Sequence, residues 1–209
     1  MMQDTKNTYD DVQAFRIKIE GKINDVVKEF SNGKLSRELF QMIYSRYSGQ
    51  LSMIEKALST GNLDMVSLGG AGEATIAIRD AYEGKARGIM IYYNRNGTVL
   101  ETLGEIDAPL SVLTPVLNKF SMMMEMGQYI DHHIQKISDR RWVLMAAGQH
   151  TTIVVEFRNE PSQEQIRVIQ RLHHHFEKAN DGAFGRDLID ASKLAYPFTV
   201  FVEKKRVAR

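Results

Sequence analysis

Residues 88–104, GIMIYYNRNGTVLETLG, constrain the fold most, because they predict a β-hairpin whose first strand is apolar on both faces. Asn96-Gly97 is a strong signal for the tight turn of a hairpin, since both residue types accept the positive φ angles that this turn needs. The run before the turn, residues 89–93, is apolar at every position, although neighbouring side chains of a strand point to opposite faces. The hairpin is therefore expected inside a small sheet, with helices on at least one face and a partner chain as further cover.

More strands are predicted after the hairpin. Residues 132–138, 141–147 and 151–157 are rich in β-branched and aromatic side chains, and turn residues separate them, so they predict a three-strand meander. Two less regular stretches are also assigned as strands. Residues 75–79 alternate weakly and fit a helix as well, but we favour the strand, and residues 198–202 predict a last strand.

The N-terminal part of the chain predicts two amphipathic helices. Residues 9–30 place apolar side chains at every third or fourth position, which is helical spacing. Gly33 supplies a left-handed stop, and Ser36 is the expected N-cap of a second helix that continues to Gly61. Two such helices joined by a short turn form an αα-hairpin.

A third helix is predicted over residues 107–128, with Asp107 as its cap. Pro115 falls in its middle, so we expect a kink or a restart capped by Thr114. The helix is apolar on two sides, which indicates deep burial or two packing partners. One stripe comprises Leu110, Leu113, Leu117, Phe120 and Met124, and the other includes Val112, Val116 and Met123. Its methionine-rich end, residues 122–126, suits an adaptable contact or core filling.

These elements, with a last helix opening at Pro161-Ser162, predict an α+β protein. Its mixed, mainly antiparallel sheet is flanked by helices and preceded by the αα-hairpin. The predicted parts are a helical hairpin at 1–61, a linker at 62–74, a sheet domain at 75–182 and a C-terminal extension at 183–209.

Composition excludes several classes of function. The formal net charge is +1 over 209 residues, so the overall field does not favour nucleic acid or an acidic membrane. The basic tail, residues 203–209, is interpreted as a solvated end. No cysteine is present, which excludes disulfide scaffolds and thiol catalysis. The N-terminal residues lack the apolar core of a signal peptide, and no apolar run approaches the ~20 residues of a membrane span. We expect a cytoplasmic protein.

The stretch GIMIYYNRNGTVLETLG resembles the opening hairpin of roadblock/dynein light-chain domains. The stretch RRWVLMAAGQHTTIVVEFRNEPSQEQIRVIQ is similar to the later strands and last helix of that family, and the element order is that of the roadblock and longin group. The resemblance covers residues 86–180. A roadblock domain begins with a helix before its first strand, so the strand favoured at 75–79 leans towards the longin arrangement.

The resemblance implies a non-catalytic platform that regulates or scaffolds other proteins. Such domains pair through their central helix and an exposed strand edge, and some bind and regulate small Ras-like GTPases. We therefore expect a homodimer or larger homo-oligomer with a small GTPase as partner. The residues expected to carry self-association are Val112, Val116, Met123 and Met126. The expected partner contacts are Tyr44, Tyr47, Arg140 and Arg141.

Signals for catalysis or metal binding are weak. Adjacent residues on a helix point about 100° apart, so His173-His174-His175 cannot share one ion, and His132 and His133 of a strand point to opposite faces. The glycine-rich residues 68–73 lack the Lys-Ser/Thr of a P-loop and indicate a linker. No Gly-x-Ser-x-Gly motif occurs. We expect neither an enzyme, a bound metal nor a cofactor.

A small-molecule-binding sensor is the alternative function. Mixed sheets with flanking helices also serve as ligand-binding modules. In that case the pocket is expected to be lined by the methionines and by Tyr92, Tyr93 and Trp142.

Overall fold

The computed structural model describes residues 2–63, 66, 73–128, 132–184 and 189–200, which fall into two compact units. The helical unit is Met1–Glu83 and the sheet unit is Gly84–Arg209. The helical unit contains α1 (Met2–Ser31), α2 (Arg37–Thr60) and α3 (Glu73–Tyr82). The sheet unit contains β1 (Lys85–Tyr93), β2 (Val99–Gly104), α4 (Leu110–Glu125), β3 (His133–Ser138), β4 (Arg141–Ala147), β5 (Thr151–Arg158), α5 (Gln163–Ala179) and α6 (Asp181–Phe184), and it ends in two 3-10 turns, Ala191–Lys193 and Pro197–Val200.

The predicted αα-hairpin is confirmed in the helical unit. Gly33 has a φ of 76°, so its backbone takes the left-handed conformation that ends α1. The Ser36 hydroxyl caps α2 by accepting a hydrogen bond from the Leu39 N–H at 3.2 Å. The hairpin core is built from one apolar stripe of each helix, which includes Val12, Ile19 and Val26 of α1 and Ile43, Tyr47 and Ile54 of α2.

The strand predicted at residues 75–79 is wrong, because this stretch forms the helix α3. Its contacts recur with helical spacing. The Thr75 hydroxyl lies 2.9 Å from the Tyr47 hydroxyl, and the Arg79 guanidinium pairs with Glu29 at 2.7 Å. Ile78 packs against the core of the helical hairpin. Packing at intervals of three and four residues therefore determines the conformation of this stretch, despite its weak apolar alternation.

The sheet has the strand order β2-β1-β5-β4-β3, and every pairing is antiparallel. The hairpin predicted within residues 88–104 and the strands predicted over residues 132–138, 141–147 and 151–157 are confirmed. The central strand β5 is buried at each position from Thr151 to Phe157. This five-stranded sheet with helices against both faces confirms the α+β class and is consistent with a roadblock/longin-like fold preceded by helices.

Two apolar layers account for β1, the hairpin strand that is apolar on both faces. Ile89 and Ile91 of β1 belong to one core cluster, which also holds Ile166, Ile169 and Phe176 of α5. The other cluster joins Leu113, Val116 and Phe120 of α4 to Val143, Met145 and Val154 of the sheet, with Met90 and Tyr92 of β1 packed against it. Alternate side chains of β1 therefore point to α5 and to α4, so both faces of this strand are covered within one chain.

The start of α4 differs from the prediction. Pro109 takes the N-cap position without a side-chain hydrogen bond, and Asp107 does not cap the helix. The Asp107 N–H instead donates to the Glu156 carboxylate at 2.8 Å. The helix continues through Pro115, so the predicted restart at Thr114 is also wrong.

The last predicted strand is wrong where the structure describes it. Pro197–Val200 forms a 3-10 turn, because Pro197 fixes φ and lacks the N–H that a strand needs. Phe198 is fully buried, with its ring 5.8 Å from that of Phe176 on α5. The basic tail at 203–209 lies outside the described residues, as do positions 68–72 of the glycine-rich stretch. Among the described helices, none combines the length and apolarity needed to cross a bilayer.

Candidate interaction surfaces

The outer side of α4 carries exposed apolar side chains. Leu110 is 73% exposed, Met122 is 52% exposed and Met126 is 63% exposed, whereas Val112 and Met123 are half-buried. Separations of eleven and fourteen residues are close to three and four turns of an α-helix. Val112, Met123 and Met126 therefore share one side of α4, and Met122 flanks it. Leu110 lies on a different side of the helix.

Val116 does not belong to this outer side. It is only 9% exposed and lies in the core cluster with Val143 and Val154 of the sheet. A charge at this position would enter the core of the sheet unit rather than mark an interface. Self-association through Val112, Met123 and Met126 stays a prediction, and Leu110 and Met122 are the exposed side chains that the sequence placed elsewhere or left out.

The two tyrosines predicted as partner contacts lie in different environments. Tyr47 is 4% exposed, and its hydroxyl bonds to Thr75 of α3, so it belongs to the core of the helical unit. Tyr44 is 40% exposed. Its ring lies 5.4 Å from that of Phe40, which in turn stacks on Phe30 at 4.4 Å. Of the pair, only Tyr44 offers a partly open aromatic surface.

A buried carboxylate organises one end of the sheet. Glu156 of β5 is fully buried, and its carboxylate receives Arg141 Nη2 at 2.8 Å and Arg87 Nη1 at 3.2 Å. Arg87 also pairs with Glu105 at 3.1 Å and lies 3.6 Å from Asp107. A buried charge needs such partners, since it is otherwise very costly to remove from water. This cluster ties the segment between β2 and α4 to the sheet.

The two arginines predicted as partner contacts are engaged within the chain. Arg141 serves the Glu156 carboxylate, and the Arg140 Nε donates to the Asn159 side chain at 3.0 Å. Asn159 has a φ of 66°, a left-handed backbone that asparagine tolerates better than most residues. Both arginines therefore have structural roles at the end of the sheet, and the proposal that they contact a partner stays a prediction.

The strand register reveals a basic row that the sequence alone did not. Lys85 of β1 lies directly opposite Arg158 of β5, and Arg158 lies directly opposite Arg141 of β4. Lys85 and Arg158 are exposed. These three residues are far apart along the chain, so only the register brings them together. We call Lys85, Arg158 and Arg141 the basic row.

A second buried carboxylate fixes the turn between β4 and β5. The Glu177 carboxylate of α5 accepts hydrogen bonds from the N–H groups of Gln149, His150 and Thr151 at 2.9, 2.7 and 2.7 Å. It also accepts from the Thr151 hydroxyl at 2.9 Å. That hydroxyl has one hydrogen, so His173 Nε2, 2.8 Å away, donates to it. Neutral His173 completes the network.

The protein environment shifts the pKa values of both His173 and Glu177. Burial lowers the pKa of His173 to about 4, although the neighbouring Glu177 charge works in the other direction. For Glu177, burial raises the pKa, but the N–H donors and His173 outweigh this effect, so the pKa lies below its usual value. Both shifts favour neutral His173 beside ionised Glu177 near neutral pH.

The residues expected to line a sensor pocket are not brought together. Tyr92 packs on the α4 side of the sheet, whereas Tyr93 and Trp142 belong to the α5 side. A cavity of about 530 Å³ lies instead between the end of α4, the end of β4 and α5. Its lining includes Met124, Ala147, Gln149, Gln170 and His174. Across the described part of the chain, no group of three His, Asp or Glu side chains is placed to hold a metal ion.

Comparisons with known proteins give little further information. No protein-family model matches the chain, and no curated protein matches it. Among solved structures, the gliding protein MglB from Thermus thermophilus is similar over 41% of this chain and 70% of its own, at 16% identity and a TM-score of 0.30. At that level the fold assignment rests on the strand order and helix placement given above.

Proposed function

We propose that this protein is a non-catalytic regulatory or scaffold protein that self-associates through the outer side of α4 and binds a partner protein. The observation that carries the proposal is the exposed apolar side of α4, where Met122 and Met126 are each more than half exposed. The same helix covers the sheet with its other side, so it has one packing surface for its own chain and one for a second.

The affinity of the proposed dimer can be estimated from the exposed apolar side chains of α4. Fully burying a leucine or methionine side chain contributes about 1.5–3 kcal/mol, so each of these partly exposed side chains contributes about 1–2 kcal/mol. A twofold interface uses each residue twice, which doubles the sum. Association costs about 4–15 kcal/mol in lost freedom, which offsets much of this gain. The proposed dimer is therefore of modest affinity and dissociates on dilution.

The partner class comes from the resemblance of residues 86–180 to roadblock domains, which implies a small Ras-like GTPase. The test is a pull-down with the purified chain from native lysate loaded with GDP or a GTP analogue, read by mass spectrometry. Retention of a Ras-like GTPase in one nucleotide state is the expected result. Equal retention in both states, or none, would contradict regulation of such a partner.

Self-association is tested with a double variant, Met122→Glu with Met126→Glu. Both side chains are exposed, so the variant is expected to fold and to remain a monomer at concentrations at which the wild type dimerises. Ile17→Glu with Met53→Glu is the matched control, since these side chains are 67% and 64% exposed in the helical unit. If the control and the test variant dissociate alike, α4 is not the interface.

A ligand-binding sensor is the second candidate, favoured by the cavity at the end of β4. Its volume of about 530 Å³ lies within the range of about 300–1,000 Å³ found for small-molecule sites. A metabolite that binds there is expected to raise the unfolding temperature of the wild type but not of an Ala147→Leu variant, whose larger side chain occupies the cavity. A screen without any stabilising metabolite would remove this candidate.

A further inference from the structure

The basic row is unfavourable for the stability of the isolated chain. Directly opposite side chains of antiparallel strands have Cβ atoms about 4.5–5.5 Å apart, and like charges at such positions destabilise a sheet. The register places Arg158 opposite a cation on each side, Lys85 on β1 and Arg141 on β4. Two consecutive like-charge pairs in one row need a reason other than stability.

The carboxylates at this end of the sheet do not neutralise Lys85 and Arg158, the two exposed residues of the basic row. Glu156 is occupied by Arg141 and Arg87, and Glu105 and Asp107 face Arg87. Asp139 and Glu160 lie in the flanking turns, outside the row. Within the described residues, the side chains of Lys85 and Arg158 have no ion pair or hydrogen bond. Arg141 is balanced by Glu156, and Lys85 and Arg158 remain unbalanced.

We propose that Lys85 and Arg158 form a docking site for an acidic segment of the partner protein, with Arg141 as its inner boundary. Neighbouring strands are about 4.8 Å apart, so the two exposed cations lie within reach of carboxylates on one extended segment. Nucleic acid is disfavoured, because its binding relies on Lys and Arg contacts to several phosphates, whereas the basic row has two exposed cations and the chain has a net charge of only +1. The inference rests on the proposed partner binding but not on self-association.

The test uses the full chain and a fluorescein-labelled oligoglutamate peptide, followed by fluorescence anisotropy at low and high salt. Wild type is expected to bind saturably, with affinity that falls as salt rises. Arg158→Glu is expected to weaken binding about tenfold or more, since it both removes a cation and adds a repelling charge. Lys85→Gln is expected to weaken binding less. Arg167→Glu, the same change at an exposed position of α5, is the matched control and is expected to bind as wild type does.

Unfolding cannot mimic the expected result, because Arg158→Glu converts the unbalanced like-charge pair with Lys85 into an opposite-charge pair. The variant is expected to unfold at higher denaturant concentration than wild type while losing the peptide. Absence of saturable binding to wild type, equal loss in Arg167→Glu, or tighter binding of inorganic phosphate, duplex DNA or anionic vesicles than of the peptide would overturn the inference. None of these outcomes bears on the dimer, which the α4 variants test separately.

Discussion

At the scale of single residues, the position of Arg158 gives the sharpest expectation about stability. Cross-strand charge pairs change stability by about 0.2–1 kcal/mol each. Arg158 faces Lys85 and Arg141, so Arg158→Glu is expected to raise the free energy of unfolding of the sheet unit by about 0.5–2 kcal/mol. Urea denaturation followed by fluorescence of Trp142, the single tryptophan, measures the change. A decrease, or an equal increase in Arg167→Glu, would show that the like-charge row costs nothing.

His173 predicts how stability changes with pH. Its pKa is about 4 in the folded chain and 6.5 when exposed, so the unfolded chain takes up the proton first as the pH falls. The contribution of His173 to the free energy of unfolding is therefore complete above pH 6.5. It falls by about 3 kcal/mol in total as the pH falls towards 4. Urea denaturation between these pH values measures the slope. A His173→Gln variant is expected to show a much flatter dependence there, and an unchanged slope would assign the effect to other groups.

Glu177 also makes stability fall with falling pH, but in a lower pH range than His173. Its pKa is lowered in the folded chain, so its contribution is complete above its ordinary value of 4.5 and disappears as the pH falls through the folded pKa. The contribution of His173 to stability therefore declines below pH 6.5, and that of the carboxylate that holds the turn between β4 and β5 declines only below pH 4.5. The sheet unit is expected to lose stability in this order.

At the scale of elements, the turn between β4 and β5 depends on a glycine. A Cβ at Gly148 would overlap the Glu177 carboxylate, which would have to leave its N–H donors. Gly148→Ala is expected to destabilise the sheet unit by about 1–3 kcal/mol, the cost of unpaired buried polar groups. Gly182→Ala, where a Cβ meets nothing within 4 Å, is the control in the same denaturation assay. A loss no larger than that of the control would mean that the turn adapts.

The elements that the sequence predicted correctly are those whose signals are local. Gly33 and the Ser36 cap define the αα-hairpin, and Gly97, with a φ of 69°, lies in the turn of the first β-hairpin, because turn and cap chemistry acts over a few residues. Asn96 does not take the positive φ expected of a two-residue turn, and five residues connect the strands. The short stretch at 75–79 was assigned to the wrong class since it is too brief for alternation to be distinguished from a helical period. Its helix is stabilised by contacts with Tyr47 and Glu29, which no local pattern contains.

The candidate interaction surfaces are harder to predict from the sequence than the elements are. Helical spacing identified two apolar sides of α4, but it did not tell which of them the sheet covers, and Val116 was placed on the wrong one. The basic row depends on strand register, which links Lys85 to Arg158 across a separation that periodicity does not address. Burial and register are properties of the fold, so these features emerge only with the structure.

At the scale of the whole molecule, the two units carry different surfaces. The sheet unit presents an apolar side of α4 and a basic row, and the helical unit presents the partly open rings of Phe30 and Tyr44. An apolar side suits association with another copy, whereas a charged row contributes specificity and association rate more than affinity. The proposal therefore places self-association on α4 and partner selection on the basic row.

The most direct test of self-association is sedimentation equilibrium of the unmodified chain over a wide range of concentrations. Self-association through α4 predicts a mass that rises from 23.8 kDa at low concentration towards twice that value at high concentration. The modest interface predicts that both species are seen in the accessible range. A mass of 23.8 kDa at every concentration would contradict the central claim, and the exposed side of α4 would then need a different partner.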